Sequence, residues 1–167
     1  MSAHMDETKL TRRVVTGHND DGQAVFVADN EFPLITIPSG DADFALIWTT
    51  AAVPADNNDA VDGRNRDAAL TIKAGSVIRV VDLLPNSCSP MHRTNSIDYG
   101  IILTGHVELE LDSGEKRLLG PGDIAVQRGT MHLWRNLSAT EVCRVVWVLI
   151  QAEPYRLRGV PLPELHP

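Results

Sequence analysis

Apolar and polar residues alternate along this chain in short runs, and no stretch holds the three-to-four spacing of an amphipathic helix. Residues 13–16 and 24–27 read as two short strands joined by a polar loop that contains Asp20, Asp21 and Gly22, a hairpin suited to extending the edge of a barrel. Residues 44–49, bounded by Gly40 and Pro54, and residues 78–83 are the next strands. Residues 97–103 and 107–111 frame the turn at Gly105, and Asp112, Ser113 and Gly114 turn the chain back into residues 116–119. Residues 142–151 are apolar on both faces, which predicts a strand packed between layers. Many short strands at this spacing, punctuated by Gly, Pro and Asp, predict an all-β barrel or sandwich.

The intervals between these strands are also informative. Residues 55–67 hold three Asn, four Asp and a Gly with little apolar content, which predicts a surface loop placed to lie over a pocket mouth. Residues 154–167 carry prolines too close together for a sheet, so this tail is expected to make a short helical turn or to pack on a partner. Residues 1–10 are expected to be a disordered terminus or a vector scar, and His4 is left out of the chemistry. Residues 11–153 then form a single domain, and 167 residues are enough to bury a core.

A net charge of -7 and a pI near 5.2 argue against a nucleic-acid partner. Arg12, Arg13, Arg64 and Arg66 are read as solvated loop charges. The longest apolar run, 145–150, is far short of the ~20 residues that a membrane helix needs, and no signal peptide is recognisable, so a cytoplasmic protein is expected. Cys88 and Cys143 form no metal-spaced pair and are read as free thiols, Cys88 in a small buried role.

The candidate chemistry lies between Pro85 and Asn136. His92, then Asp98 six positions later, then His132 beyond an intervening hairpin form a set of two imidazoles and a carboxylate. Such a set suits iron and is acceptable to zinc, manganese or nickel, so one divalent ion held by His92, Asp98 and His132 is expected. Alternation along a strand puts Asp98 and Gly100 on one face, with Gly100 making room behind the carboxylate, and puts His132 and Trp134 together on another strand. Thr94 and Trp134 are the candidate pocket residues, and Tyr99 and Arg93 are the candidate catalytic donors to a substrate oxygen. His106 is read as an exposed strand residue and His18 as a solvated loop residue.

These motifs resemble those of the cupin superfamily. In the first cupin motif His92 matches the first histidine, Asp98 stands where a glutamate is expected and Gly105 closes the motif, while Thr94 replaces a second histidine and Asn86 replaces the opening glycine. In the second motif Gly129, His132 and Asn136 match, Gln127 replaces a proline, and the spacing from Gly122 is one residue short. The resemblance implies a double-stranded β-helix, the jelly-roll barrel, with an N-terminal β extension. It also implies a homodimer in which residues 11–29 add to the neighbour's sheet.

The function expected is a metal-dependent small-molecule enzyme of the lyase type, a decarboxylase, dehydratase or isomerase acting on a small oxygenated metabolite. The alternatives are an Fe(II)-dependent dioxygenase and a non-enzymatic small-molecule binder, because cupins carry many chemistries on one fold.

Overall fold

The computed structural model describes residues 10–166, so the expectation for the first ten residues lies outside the described residues except at Leu10. Every long element is a strand, as the alternation predicts. In chain order these are β1 (Leu10–His18), β2 (Ala24–Pro33), β3 (Ile35–Thr36), β4 (Ala42–Thr50), β5 (Ser76–Leu83), β6 (Ser96–Thr104), β7 (Val107–Leu111), β8 (Lys116–Leu119), β9 (Ile124–Arg128), β10 (His132–Arg135), β11 (Cys143–Gln151), β12 (Arg156–Leu157) and β13 (Val160–Pro161). A six-stranded sheet of order β3-β4-β5-β11-β6-β9 accompanies a three-stranded sheet of order β10-β7-β8. The paired strands run antiparallel.

One apolar cluster joins the two sheets. It takes Val77 and Val81 from β5, Ile102 from β6, Val107 from β7, Trp134 from β10, and Val145, Trp147 and Leu149 from β11. β11 lies between β5 and β6 and is apolar on both faces for a visible reason. Its odd-numbered residues enter this core, and Val146 on the other face packs against a second cluster of Phe32, Ala45 and Val80. That second cluster is where the end of β2 covers the outside of the large sheet.

The turns follow residue chemistry. Asn86, at the position of the motif's opening glycine, adopts φ 57°, a left-handed conformation that asparagine tolerates better than most side chains.

Several expectations need correction. The N-terminal hairpin is longer than residues 13–16 and 24–27 and forms its own two-stranded sheet rather than extending an edge of the large one. Cross-strand pairing explains its length: Arg12 makes two 2.8 Å bonds to Asp29, and Arg13 bonds Asn30, so polar residues that look like loop are held in register. Arg13 and Arg64 are not solvated charges. Arg13 is 5% exposed and grips Asp62 through bonds of 2.7 and 2.9 Å, while Arg64 lies 4.0 Å over the ring of Phe32.

These two arginines pull the loop 55–67 onto the outer layer. Its contacts run to β1, β4 and Phe32, with Thr49 donating to the Gly63 carbonyl at 2.6 Å, and Ala55, Asp56, Asp59 and Arg66 line a small cavity against the end of β4. Among the described residues the tail forms no helical turn. It makes the small β12–β13 hairpin and returns to the first motif, where Arg93 and Leu165 exchange backbone bonds of 2.9 and 3.0 Å and Glu164 accepts from the Asn95 amide at 2.7 Å. Cys88, expected to be buried, is exposed, whereas Cys143 is buried.

Candidate functional site

The end of the barrel beneath the first motif gathers most of the residues singled out from sequence. The segment before β6 runs beside β10, and His92 and His132 exchange backbone bonds of 2.9 and 3.0 Å. This pairing sets their rings side by side, with centroids 4.3 Å apart and planes 57° apart. Each ring is oriented by its own chain: His92 Nδ1 lies 2.8 Å from the Pro90 carbonyl and His132 Nδ1 lies 2.8 Å from the Thr130 carbonyl. A carbonyl only accepts, so both Nδ1 atoms carry the hydrogen and both Nε2 atoms keep a lone pair. Metal-ligating histidines are oriented in this way.

Asp98 enters from β6, whose inward residues Ser96, Asp98, Gly100 and Ile102 are all buried. The β6–β9 register sets Asp98 opposite Gln127, and Gln127 Nε2 donates to Asp98 Oδ2 at 3.0 Å. Trp134 Nε1 in turn donates to Gln127 Oε1 at 2.8 Å. Gln127, 6% exposed, therefore connects the carboxylate to the tryptophan. The other carboxylate oxygen, Oδ1, is buried with no hydrogen-bond partner among the described residues. A buried polar atom left in this state costs about 1–3 kcal/mol, so a partner from outside the chain would be stabilising. Thr94 is also inward and buried, and its hydroxyl lies 2.7 Å from that of Ser96.

Tyr99 and Arg93 do not join this group. Tyr99 follows Asp98 on a strand, so it faces the opposite way and is 39% exposed. Arg93 follows His92 and lines a groove of about 470 Å³ outside the barrel with Arg128, Asp112 and Tyr155. His106 is exposed beside Gly120, as its place after the turn predicts. The room expected behind Asp98 is taken: a Cβ on Gly100 would come within 2.6 Å of the Trp147 ring, which packs edge-on to Trp134 at 5.1 Å. Sequence reading passed over Gln127, Ser96 and Trp147. The signal for Ser96 was available, since it lies two residues before Asp98, and that for Trp147 lay in its strand. Gln127 needed the strand pairing.

Burial shapes the electrostatics. Desolvation holds the Asp98 carboxyl above the ordinary carboxylate range, and interactions with Ser96, Gln127 and His92 pull it part of the way back. Desolvation lowers His132 to about 4, helped by His92 and opposed by the Thr130 carbonyl. The unfolded chain therefore binds the His132 proton more tightly than the folded one does. This contribution is fully present above the unfolded value of 6.5 and is lost as pH falls through about 4, with a size on the order of 3 kcal/mol. Asp98 acts in the opposite sense, since its ionisation weakens the fold as pH rises from 3.8. In urea titrations of metal-free protein at pH 7.5 and 4.5, wild type is expected to lose more stability on acidification than His132→Gln; equal losses would contradict the neutral, buried imidazole.

The residues can be tested against a metal. Two imidazoles with free Nε2 lone pairs and a carboxylate with an unpartnered oxygen are donors of the right kind for a divalent ion. Among the described residues no three His, Cys, Asp or Glu side chains are gathered closely enough to hold one as they stand, because Asp98 is drawn to Gln127 and Thr94 offers no imidazole.

A family model described as the cupin domain matches residues 79–149, the stretch that holds all three candidate ligands. A cupin-domain-containing oxidoreductase, virC of Hypocrea virens, is 36% identical over 162 residues, covering 93% of this chain and 84% of that protein. The chain belongs to the cupin family. Phomopsin biosynthesis cluster protein C' of Diaporthe leptostromiformis is a relative at 40% identity over 161 residues, covering 92% of this chain and 85% of its own. Among solved structures, the cupin domain of Cnp3 from Schizosaccharomyces pombe superposes with a TM-score of 0.54 at 12% identity, over 84% of this chain and 87% of that one, a likeness of fold alone. Cupin domains commonly bind a metal. No helix among the described residues of this cupin is long and apolar enough to cross a membrane.

Proposed function

We propose that this cupin is a metal-dependent oxidoreductase acting on a small molecule. The observation that carries the proposal is the adjacent pair His92 and His132, each fixed by a backbone carbonyl so that its Nε2 lone pair is free. Relatives named as oxidoreductases favour oxidation over the lyase chemistry expected from sequence. His92, His132 and Asp98 are the residues that would hold the ion; Fe(II), Zn, Mn and Ni all accept this donor set. With iron, the bound ion would supply the redox chemistry that no side chain here provides.

The chain's own residues do the rest. The Pro90 and Thr130 carbonyls keep both imidazoles in the ligating tautomer. Gln127, tied to Trp134, orients the carboxylate, and Trp134 and Trp147, packed edge-on, form an apolar wall beside it. Thr94, in place of a third imidazole, leaves more of the ion open to substrate.

The test is oxygen uptake by iron-loaded protein with candidate alcohols, aldehydes and acids. Substrate-dependent uptake that is lost in His132→Ala supports the reading. Turnover with no oxygen consumed and no electron acceptor required would return the protein to the lyase class, and protein that takes up no divalent metal would leave it a binding module.

The N-terminal hairpin is the surface we propose pairs two chains. Val14, Phe26 and Val27 stand exposed on it, and Phe26 is 76% exposed. Light scattering is expected to give about twice the 18.3 kDa chain mass, and a chain that stays at 18.3 kDa at micromolar concentration would end this idea.

A further inference from the structure

Arg79 is the one charged residue of β5 that faces the same core as Val77 and Val81, and it is 9% exposed. Arginine is rarely buried this far without a carboxylate. Here its Nη2 reaches only backbone carbonyls, those of Ala69 and, at 3.1 Å, Leu70, and its guanidinium lies 5.6 Å over Phe44. Nε is buried and has no partner among the described residues. No carboxylate among the described residues compensates the charge: burial alone acts on the group and lowers it to about 10, which leaves it cationic at neutral pH. The fold thus carries a desolvated cation with an unused donor inside the barrel.

The sheet register says where this cation stands. Arg79 pairs with Trp147, Trp147 with Gly100, and Gly100 with Ala125, which places these four residues in one inward row. The neighbouring inward row is Val77, Leu149, Asp98 and Gln127. Two strand spacings of ~4.8 Å and one same-face step of ~6.8 Å separate the Cα atoms of Arg79 and Asp98, about 12 Å in all. The far edge of the Trp147 indole lies over Gly100, on the β6 side, so the ring leans away from Arg79. The guanidinium itself lies toward Phe44 of β4 and the carbonyls of Ala69 and Leu70.

We propose that Arg79 docks a carboxylate of the compound taken up by the barrel, which makes that compound a small organic acid. This rests on the reading of the barrel interior as a small-molecule site. A planar guanidinium with a free Nε–H is built for an acid, because it donates to a carboxylate oxygen through Nε and through a terminal nitrogen in the same plane.

The experiment uses the full chain treated with EDTA, with benzoate and succinate as probes and benzamide and succinamide as their neutral counterparts. Binding is followed by tryptophan fluorescence and by the NMR signal of the Arg79 Nε–H. The acids are expected to bind about tenfold or more tightly than the amides and to shift that signal, as a hydrogen-bonded charge pair would produce. Arg79→Met is expected to lose the preference for acid while keeping its affinity for the amides. Acid and amide binding alike, binding by neither, or an Arg79→Met chain that retains the preference overturns the proposal. If Arg79→Met fails to fold without its bonds to Ala69 and Leu70, the wild-type comparison and the Nε–H shift decide by themselves. Because the protein is chelated, loss of the metal reading leaves this result untouched, while a chain that takes up metal yet shows no preference for acids overturns this inference alone.

Discussion

His132→Ala is expected to abolish metal binding, while His106→Ala leaves it intact. His132 is 3% exposed, lies beside His92, and is fixed through Nδ1 by the Thr130 carbonyl, so its only free nitrogen is Nε2. His106 is exposed at the turn before β7, on the far side of that strand's alternation from the buried Val107. Changes to groups that merely orient a ligand cost roughly 10–100-fold in metal affinity, and removal of a ligand should exceed that. Gln127→Ala belongs to the orienting class, since it touches Asp98 and Trp134 and offers no acidic or imidazole donor. Chelator competition on the four proteins should rank them wild type and His106→Ala together, then Gln127→Ala, then His132→Ala. Equal losses for the two histidine variants would show that the paired rings are structural.

Trp147→Ala is expected to lower stability by about 3–5 kcal/mol, a large share of what a domain of this size has. The indole is 8% exposed, packs edge-on against Trp134 at 5.1 Å, and fills the space over Gly100. Its removal opens a cavity under the residue that hydrogen-bonds Gln127, so the weakened fold and a weakened carboxylate should appear together. Gly100→Val attacks the same contact from β6, because a Cβ there begins 2.6 Å from the ring. Urea titrations should show a reduced midpoint in both variants, with metal affinity reduced in whatever protein still folds. A loss below about 1 kcal/mol for Trp147→Ala would mean that the interior is not packed as described.

The strands and the two histidines were legible because their signals are local. Period-two alternation places Thr94, Ser96, Asp98 and Gly100 on one face from sequence alone, and the structure puts all four inward. The same rule sends Tyr99 outward and separates Arg93 from His92. The paired arginines Arg12 and Arg13 show the opposite case, since nothing in neighbouring residues reveals that one meets Asp29 across a hairpin and the other meets Asp62 far along the chain.

What the sequence determined by itself was the all-β class, the position of most turns, and the residue types that could ligate a metal, all of which depend on a few consecutive side chains and their backbone preferences. What the tertiary structure decided was which strand lies beside which. β6 runs between β9 and β11, so Asp98 meets Gln127 from one neighbour and Trp147 from the other covers Gly100. β5 lies on the far side of β11, which brings Arg79 into the same interior, where no carboxylate among the described residues meets it. These contacts join residues tens of positions apart, and no local preference encodes them. They follow from burying one apolar face of each strand against the others, a condition that only the whole chain can satisfy.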